Sequence, residues 1–89
     1  MSEKQIRVLL IDDEEELIEY LSKRLLREGF TVRAVTSGQR ALETVDVEEF
    51  DVAVVDLKMP GMDGIEVQRQ IKQKRPFLQT VVLTGHGSL

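Results

Sequence analysis

Asp12 and Asp13 close one apolar run of this 89-residue chain, Asp56 closes another, and Thr84 follows a third. If those runs are strands that deliver their last residues to one place, three carboxylates share a small pocket. Two unit charges ~4 Å apart repel by ~4 kcal/mol at an effective dielectric of about 20, so such a cluster either raises a pKa or recruits a cation. A hard divalent ion is the natural solution. Magnesium prefers carboxylate oxygens, keeps several waters and suits phosphoryl chemistry, whereas zinc or copper would want the His or Cys that this cluster lacks. With a metal's charge in place an anionic phosphodonor can approach an aspartate that would otherwise repel it, and a carboxylate can act as phosphoryl acceptor. Thr84 could then donate its hydroxyl to a phosphoryl oxygen.

The elements that must position these groups are legible as alternating patterns. Val52-Ala53-Val54-Val55, in the stretch from Asp51 to Gly64, is too short for a helix and rich in β-branched residues, which predicts a strand buried on both faces. Pro60 removes a backbone donor and Gly61 permits a sharp bend, so the chain leaves the sheet at Asp56. Ile6 to Ile11 is a first strand ending in Asp12-Asp13. Leu17, Ile18, Leu21, Leu25 and Leu26 recur at helical spacing behind Glu14, Glu15 and Glu16, which suit a helix N-terminus, and Gly29 ends that helix. Thr31 to Val35 predicts a second strand, and Ser37 an N-cap for a helix carrying Ala41, Leu42 and Val45. A third helix starts near Asp63-Gly64, holds Ile65, Val67 and Ile71, and stops by Pro76; Thr80 to Leu83 is a fourth strand that opens into Thr84-Gly85-His86-Gly87.

Strands and helices in strict alternation, with nearly continuous apolar strands, predict parallel βαβ units with right-handed crossovers. The fold class is α/β, a flavodoxin-like parallel sheet of order 2-1-3-4 in one domain, residues 1–89. In that order the first and third strands are neighbours, and Asp12, Asp13 and Asp56 converge on a crevice at the C-terminal edge of the sheet, where open α/β sheets bind ligands.

Composition narrows the function. A chain of this length buries about 60 to 65% of its unfolded surface and has little stability to spare. Net charge is −4 and the basic residues are interleaved with acids, which argues against a nucleic-acid surface. There is no cysteine, so disulfides and thiolate metal sites are excluded and a reducing compartment fits. No signal peptide or membrane span is visible, and the expected location is the cytoplasm.

Asp12-Asp13 after the first strand, Asp56-Leu57-Lys58-Met59-Pro60-Gly61-Met62-Asp63-Gly64 after the third, and Thr84-Gly85 after the fourth resemble the receiver domain of two-component response regulators. The resemblance covers essentially the whole chain. It implies that Asp56 accepts a phosphoryl group from the phosphohistidine of a sensor histidine kinase or phosphotransfer protein. It also implies that Asp13 binds Mg2+ directly, Asp12 mostly through water, and the Lys58 backbone carbonyl completes the protein's share. Thr84 is then the hydroxyl switch, and phosphorylation shifts the population between two conformers through its added charge of about −1.5 to −2. The Thr84-Gly85-His86-Gly87 loop is similar to that of receivers attached to ATP-dependent transcription activators.

The sequence departs from the family after its fourth strand. Receivers continue with a helix, a fifth strand carrying a lysine that pairs with the phosphoryl group and an aromatic switch residue, and a final helix, none of which precedes Leu89. The expectation is a shortened piece of a longer receiver protein, whose uncovered strand and apolar face are completed by oligomerisation or swapping between copies. DNA binding, if any, belongs to the absent part.

Two readings from other classes compete. An aspartyl-phosphate phosphatase also places a nucleophilic aspartate after a strand, but its second aspartate two residues on is Lys58 here, so turnover of an external substrate is not expected. A phosphorylation-independent dimerisation or docking module is the other, and the intact acid cluster speaks against it. Asp12 and Asp13 taken alone read as a helix-capping pair. Asp63 reads as the cap of the third helix, His86 as a loop residue without a partner, and Met59 and Met62 as packing and turn residues. Lys23, Arg24 and Arg27 form only a short basic face.

Overall fold

A computed structural model describes residues 5–59, 61 and 63–83. Its elements are β1 (Arg7–Ile11), α1 (Glu15–Arg27), β2 (Thr31–Val35), α2 (Gly38–Val47), β3 (Val52–Asp56), α3 (Gly64–Lys74) and β4 (Gln79–Leu83). The strands form one parallel sheet in the order β2-β1-β3-β4. After β2 the chain crosses back over β1 to lay down β3 on its other side, so the order reverses between β1 and β3. The crevice outside their C-terminal ends is the place such sheets offer a ligand.

Local chemistry sets the boundaries. At the end of α1, Gly29 takes φ 98° and the amides of Gly29 and Phe30 donate to the carbonyls of Leu26 and Leu25, a Schellman closure that a residue with a Cβ adopts only under strain. Ser37 caps α2, its hydroxyl accepting from the Arg40 amide at 3.1 Å, and Asp63 caps α3, accepting from the Ile65 amide at 3.0 Å. Register is pinned at the other end of the sheet. The Asp51 carboxylate accepts from the Arg7 amide at 2.8 Å while the Asp51 amide donates to the Arg7 carbonyl at 2.9 Å. A slip of one residue would turn every side chain of β3 to the opposite face, so this clamp also fixes where Asp56 ends up.

The main core lies on the α2–α3 side. Leu9 and Ile11 of β1, Ala53 and Val55 of β3, Ala41, Leu42 and Val45 of α2, and Val67 and Ile71 of α3 pack there with Met59 and Leu78. By strand alternation Val8 and Leu10 face the other way, toward α1, which rests on β1 and β2 and buries Ile18.

Three expectations need correction. β3 is buried fully on one face only: Ala53 and Val55 are enclosed, Val52 and Val54 half-buried, and Val81 beside Val54 on β4 is 48% exposed. The reason is that α1 sits over β1 and β2 and leaves β3 and β4 less covered on that side among the described residues. Ile65 is exposed, because the inward stripe of α3 is Gly64, Val67 and Ile71. Leu26 is likewise exposed, since only one flank of α1 touches the sheet. No helix among the described residues is long and apolar enough to cross a membrane.

Candidate functional site

β1 and β3 pair up to Ile11 and Val55, and the next residue of each strand is an aspartate. Asp12 and Asp56 therefore stand side by side, both about 1% exposed, while Asp13 is more open to solvent. One carboxylate oxygen from each of Asp12, Asp13 and Asp56 lies within 4.8 Å of the other two. The pocket is built by the two apolar strands beneath it. Burial of Leu9, Ile11, Ala53 and Val55 fixes where the two strands end, and Asp12 and Asp56 are themselves enclosed there.

The same backbone device recurs at both strand ends. The Glu14 amide donates to Asp12 Oδ1 at 2.9 Å, and the Lys58 amide donates to Asp56 Oδ1 at 3.1 Å. Each aspartate is thus pinned by the amide two residues on, in an Asx-type turn that carries the chain off the sheet. Asp12 is held further by its own amide, which donates to the Val35 carbonyl at 3.2 Å.

The second oxygen of Asp12 is different. Oδ2 is buried and accepts no hydrogen bond among the described residues. Burial pushes the Asp12 carboxyl above its ordinary value, and the charges of Asp56 and Asp13 push the same way against the opposing pull of the Glu14 amide. A buried carboxylate oxygen with no donor costs free energy unless it is protonated or coordinates a cation. The donor set is all oxygen, with no sulfur or imidazole in the cluster, and it fits a hard divalent ion such as Mg2+.

Lys58 is adjacent to the cluster through its amide, and its residue is exposed. Thr84 lies outside the described residues, as do Pro60, Met62 and His86. The strand that leads to Thr84 does end beside the acids, because the Leu57 amide donates to the Leu83 carbonyl at 3.2 Å. Asp63 is engaged as the α3 cap and is not one of the three grouped acids. A cavity of about 400 Å3 lined by Phe50, Asp51, Arg75 and Leu78 opens at the opposite end of the strands, away from this chemistry.

The sequence reading missed one contributor and the reason for another. The Glu14 amide is a backbone group and carries no signal in residue type. The sequence marks Gly64 as the start of the third helix and the end of the motif after Asp56, but not its contact: a Cβ there would fall 2.4 Å from the Asp56 carbonyl oxygen, so only glycine fits.

A parallel sheet of order 2-1-3-4 with three acids grouped at its switch point is an arrangement shared with known proteins. The sequence model of the response regulator receiver domain matches residues 8–89, and the chain belongs to that family. It is 36% identical over its full length to the transcriptional regulatory protein GlrR of Escherichia coli K12, of which it spans 20%. The fold superimposes on a CheY-like receiver domain protein from Methanospirillum hungatei with TM-score 0.90 and 28% identity, over 97% of this chain and 69% of that one. It also matches the response regulator TrrA of Thermotoga maritima in complex with Mg2+ and BeF, with TM-score 0.87 and 30% identity over 93% of this chain and 72% of that one. A further structure holds TrrA in complex with the histidine kinase ThkA, with TM-score 0.85 and 30% identity over 96% of this chain and 75% of that one.

Proposed function

We propose that Asp56 is the phosphoacceptor of this receiver domain. In the step a carboxylate oxygen of Asp56 bonds to phosphorus while the phosphorus–nitrogen bond of a donor phosphohistidine breaks, its electron pair leaving on the imidazole. The product is an acyl phosphate. The observation that carries the reading is the convergence of Asp12, Asp13 and Asp56 within 4.8 Å at the C-terminal ends of β1 and β3. Asp12, Asp13, Asp56 and the Lys58 main-chain carbonyl would hold Mg2+. When bound, the ion supplies positive charge that cancels repulsion between the carboxylates and incoming phosphoryl oxygens. The residues themselves orient the acceptor: the Lys58 amide fixes one oxygen of Asp56, and the buried strand ends stop the side chain from turning away. Thr84 is assigned the switch hydroxyl.

The domain, residues 1–89, does not turn over an external substrate. It takes part only in its own phosphorylation and dephosphorylation. Its donors are a sensor histidine kinase or a phosphotransfer protein, a reading supported by the ThkA–TrrA complex, and it works in the cytoplasm without touching nucleic acid or membrane. Copies pair through the partly exposed face around Val81, which light scattering at high concentration tests, a strict monomer being the contrary result. A phosphorylation-independent docking role is the weaker reading, since it leaves a buried acid cluster without a purpose.

Beryllofluoride, a phosphoryl mimic, tests the acceptor directly. With Mg2+ present it should raise the melting temperature of the wild type and leave Asp56→Ala unmoved. Equal stabilisation of both proteins would refute the assignment.

A further inference from the structure

Gly64, the first residue of α3, has no side chain, and its surroundings leave no room for one. A Cβ at this position would fall 2.4 Å from the carbonyl oxygen of Asp56, 2.7 Å from the Leu57 Cα and 3.1 Å from the Asp56 carbonyl carbon. Real Cβ atoms essentially never come within 3.0 Å of such a neighbour, and all three neighbours are backbone, so no rotamer change relieves the contact. This need for glycine is one of distance rather than backbone angle. Gly29 shows the reverse case, with φ 98° and nothing within 4 Å of where its Cβ would be.

The close approach falls on the peptide that carries the acceptor. On its far side that peptide is tied to β4 by the Leu57 amide, which donates to the Leu83 carbonyl at 3.2 Å. One residue on, the Lys58 amide reaches back to Asp56 Oδ1 at 3.1 Å. The peptide between Asp56 and Leu57 is therefore held between β4 and the first turn of α3.

Which side would yield to an added methyl follows from burial. Val67 and Ile71 anchor α3 in the core at 0% exposure, whereas Leu57 is half-buried and Lys58 exposed. The helix and the buried Asp56 side of the strand end stay, and the Asp56–Leu57 peptide and the turn beyond it move. A displacement of several tenths of an ångström there is comparable to the tolerance of about 0.5 Å within which a reacting group must be held.

We infer that Gly64 is a positioning residue for the acceptor: by admitting α3 against the Asp56–Leu57 peptide it sets the turn that orients the Asp56 carboxylate and the Lys58 main chain. This rests on the proposed role of Asp56, and the test separates the two.

The experiment compares Gly64→Ala with Gly29→Ala in the 89-residue chain. Both substitutions strain the backbone and lower the melting temperature, but only one lies at the acceptor. Two quantities are read: the Lys58 amide by nitrogen-15 NMR with hydrogen exchange, and the rate of phosphoryl uptake from acetyl phosphate at saturating Mg2+. Gly64→Ala should shift the Lys58 resonance, speed its exchange at least tenfold and slow phosphoryl uptake at least tenfold, while Gly29→Ala changes neither. If Gly64→Ala leaves the Lys58 amide where Gly29→Ala leaves it, the inference is wrong. A wild type that takes up no phosphoryl group overturns the role of Asp56, while the amide alone still decides whether Gly64 holds the turn. Should Gly64→Ala fail to fold, exchange in the wild type decides: the Lys58 amide should open together with the amides of α3, to within tenfold. Free exchange at Lys58 while α3 stays protected overturns the inference.

Discussion

Asp12 and Asp56 meet one residue beyond the last paired positions of β1 and β3, and their side chains are both about 1% exposed. Parallel pairing leaves them no choice. The apolar register that buries Leu9 against the α2–α3 layer also drives two negative charges together, so the fold spends stability to create the site.

The first consequence is a pH dependence with an unusual sign. Asp12 has its pKa raised by folding, chiefly by burial and then by the neighbouring Asp56 charge, from an ordinary value of 3.8. Below that value both folded and unfolded chains hold the proton. As pH rises past it the unfolded chain releases its proton first, so stability falls until pH has passed the raised folded-state value, and then levels off. Above the raised value, without divalent cation, the full penalty stands. Asp12→Asn, whose Oδ1 can still accept from the Glu14 amide, should therefore be more stable than wild type at pH 7 in EDTA, by on the order of 1 kcal/mol. Thermal unfolding of both proteins across pH checks this; a less stable Asp12→Asn would contradict it.

Mg2+ should act in the opposite direction on the wild type. A ligand that binds only the folded state at about 100 times its Kd adds about 2.7 kcal/mol. In a domain of this size each kcal/mol moves the melting temperature by about 4 to 8 °C. Asp13→Asn removes one of the three grouped oxygen donors and should lose most of that gain while changing the apo melting temperature little, because Asp13 is the most open of the three. Calorimetric titration with Mg2+ gives an independent reading.

Asp63 separates a cap from a ligand. Its carboxylate accepts from the Ile65 amide at 3.0 Å and begins α3. Asp63→Ala should cost about 0.5 to 2 kcal/mol, as loss of a cap does, with Mg2+ affinity unchanged within twofold. A large loss of Mg2+ affinity at full folding would show that Asp63 belongs to the metal's surroundings.

Much of this was legible in the sequence because two signals coincide. Strand-length apolar runs ending in acids gave both the topology and the residues at the sheet's edge, and turn chemistry at Ser37, Asp63 and Gly29 placed the helix ends within a residue or two. What stayed hidden depends on distances between segments. The half-exposure of Val54 and Val81 follows from where α1 comes to rest, which no periodicity within β3 or β4 encodes. The close contact of Gly64 with Asp56 is of the same kind: the glycine was visible, and its reason is a backbone eight residues away. The pinning of Asp12 by the Glu14 amide was invisible because every residue but proline offers that donor.

The central claim is that Asp56 accepts a phosphoryl group in a pocket that Asp12 and Asp13 complete. The most direct measurement is intact mass after incubation with acetyl phosphate and Mg2+, run beside Asp56→Ala and beside a sample in EDTA. One phosphoryl mass on the wild type, absent from Asp56→Ala and from the EDTA sample, is the predicted result. A folded wild type that takes up nothing, or an Asp56→Ala protein labelled as fully as wild type, would contradict the account.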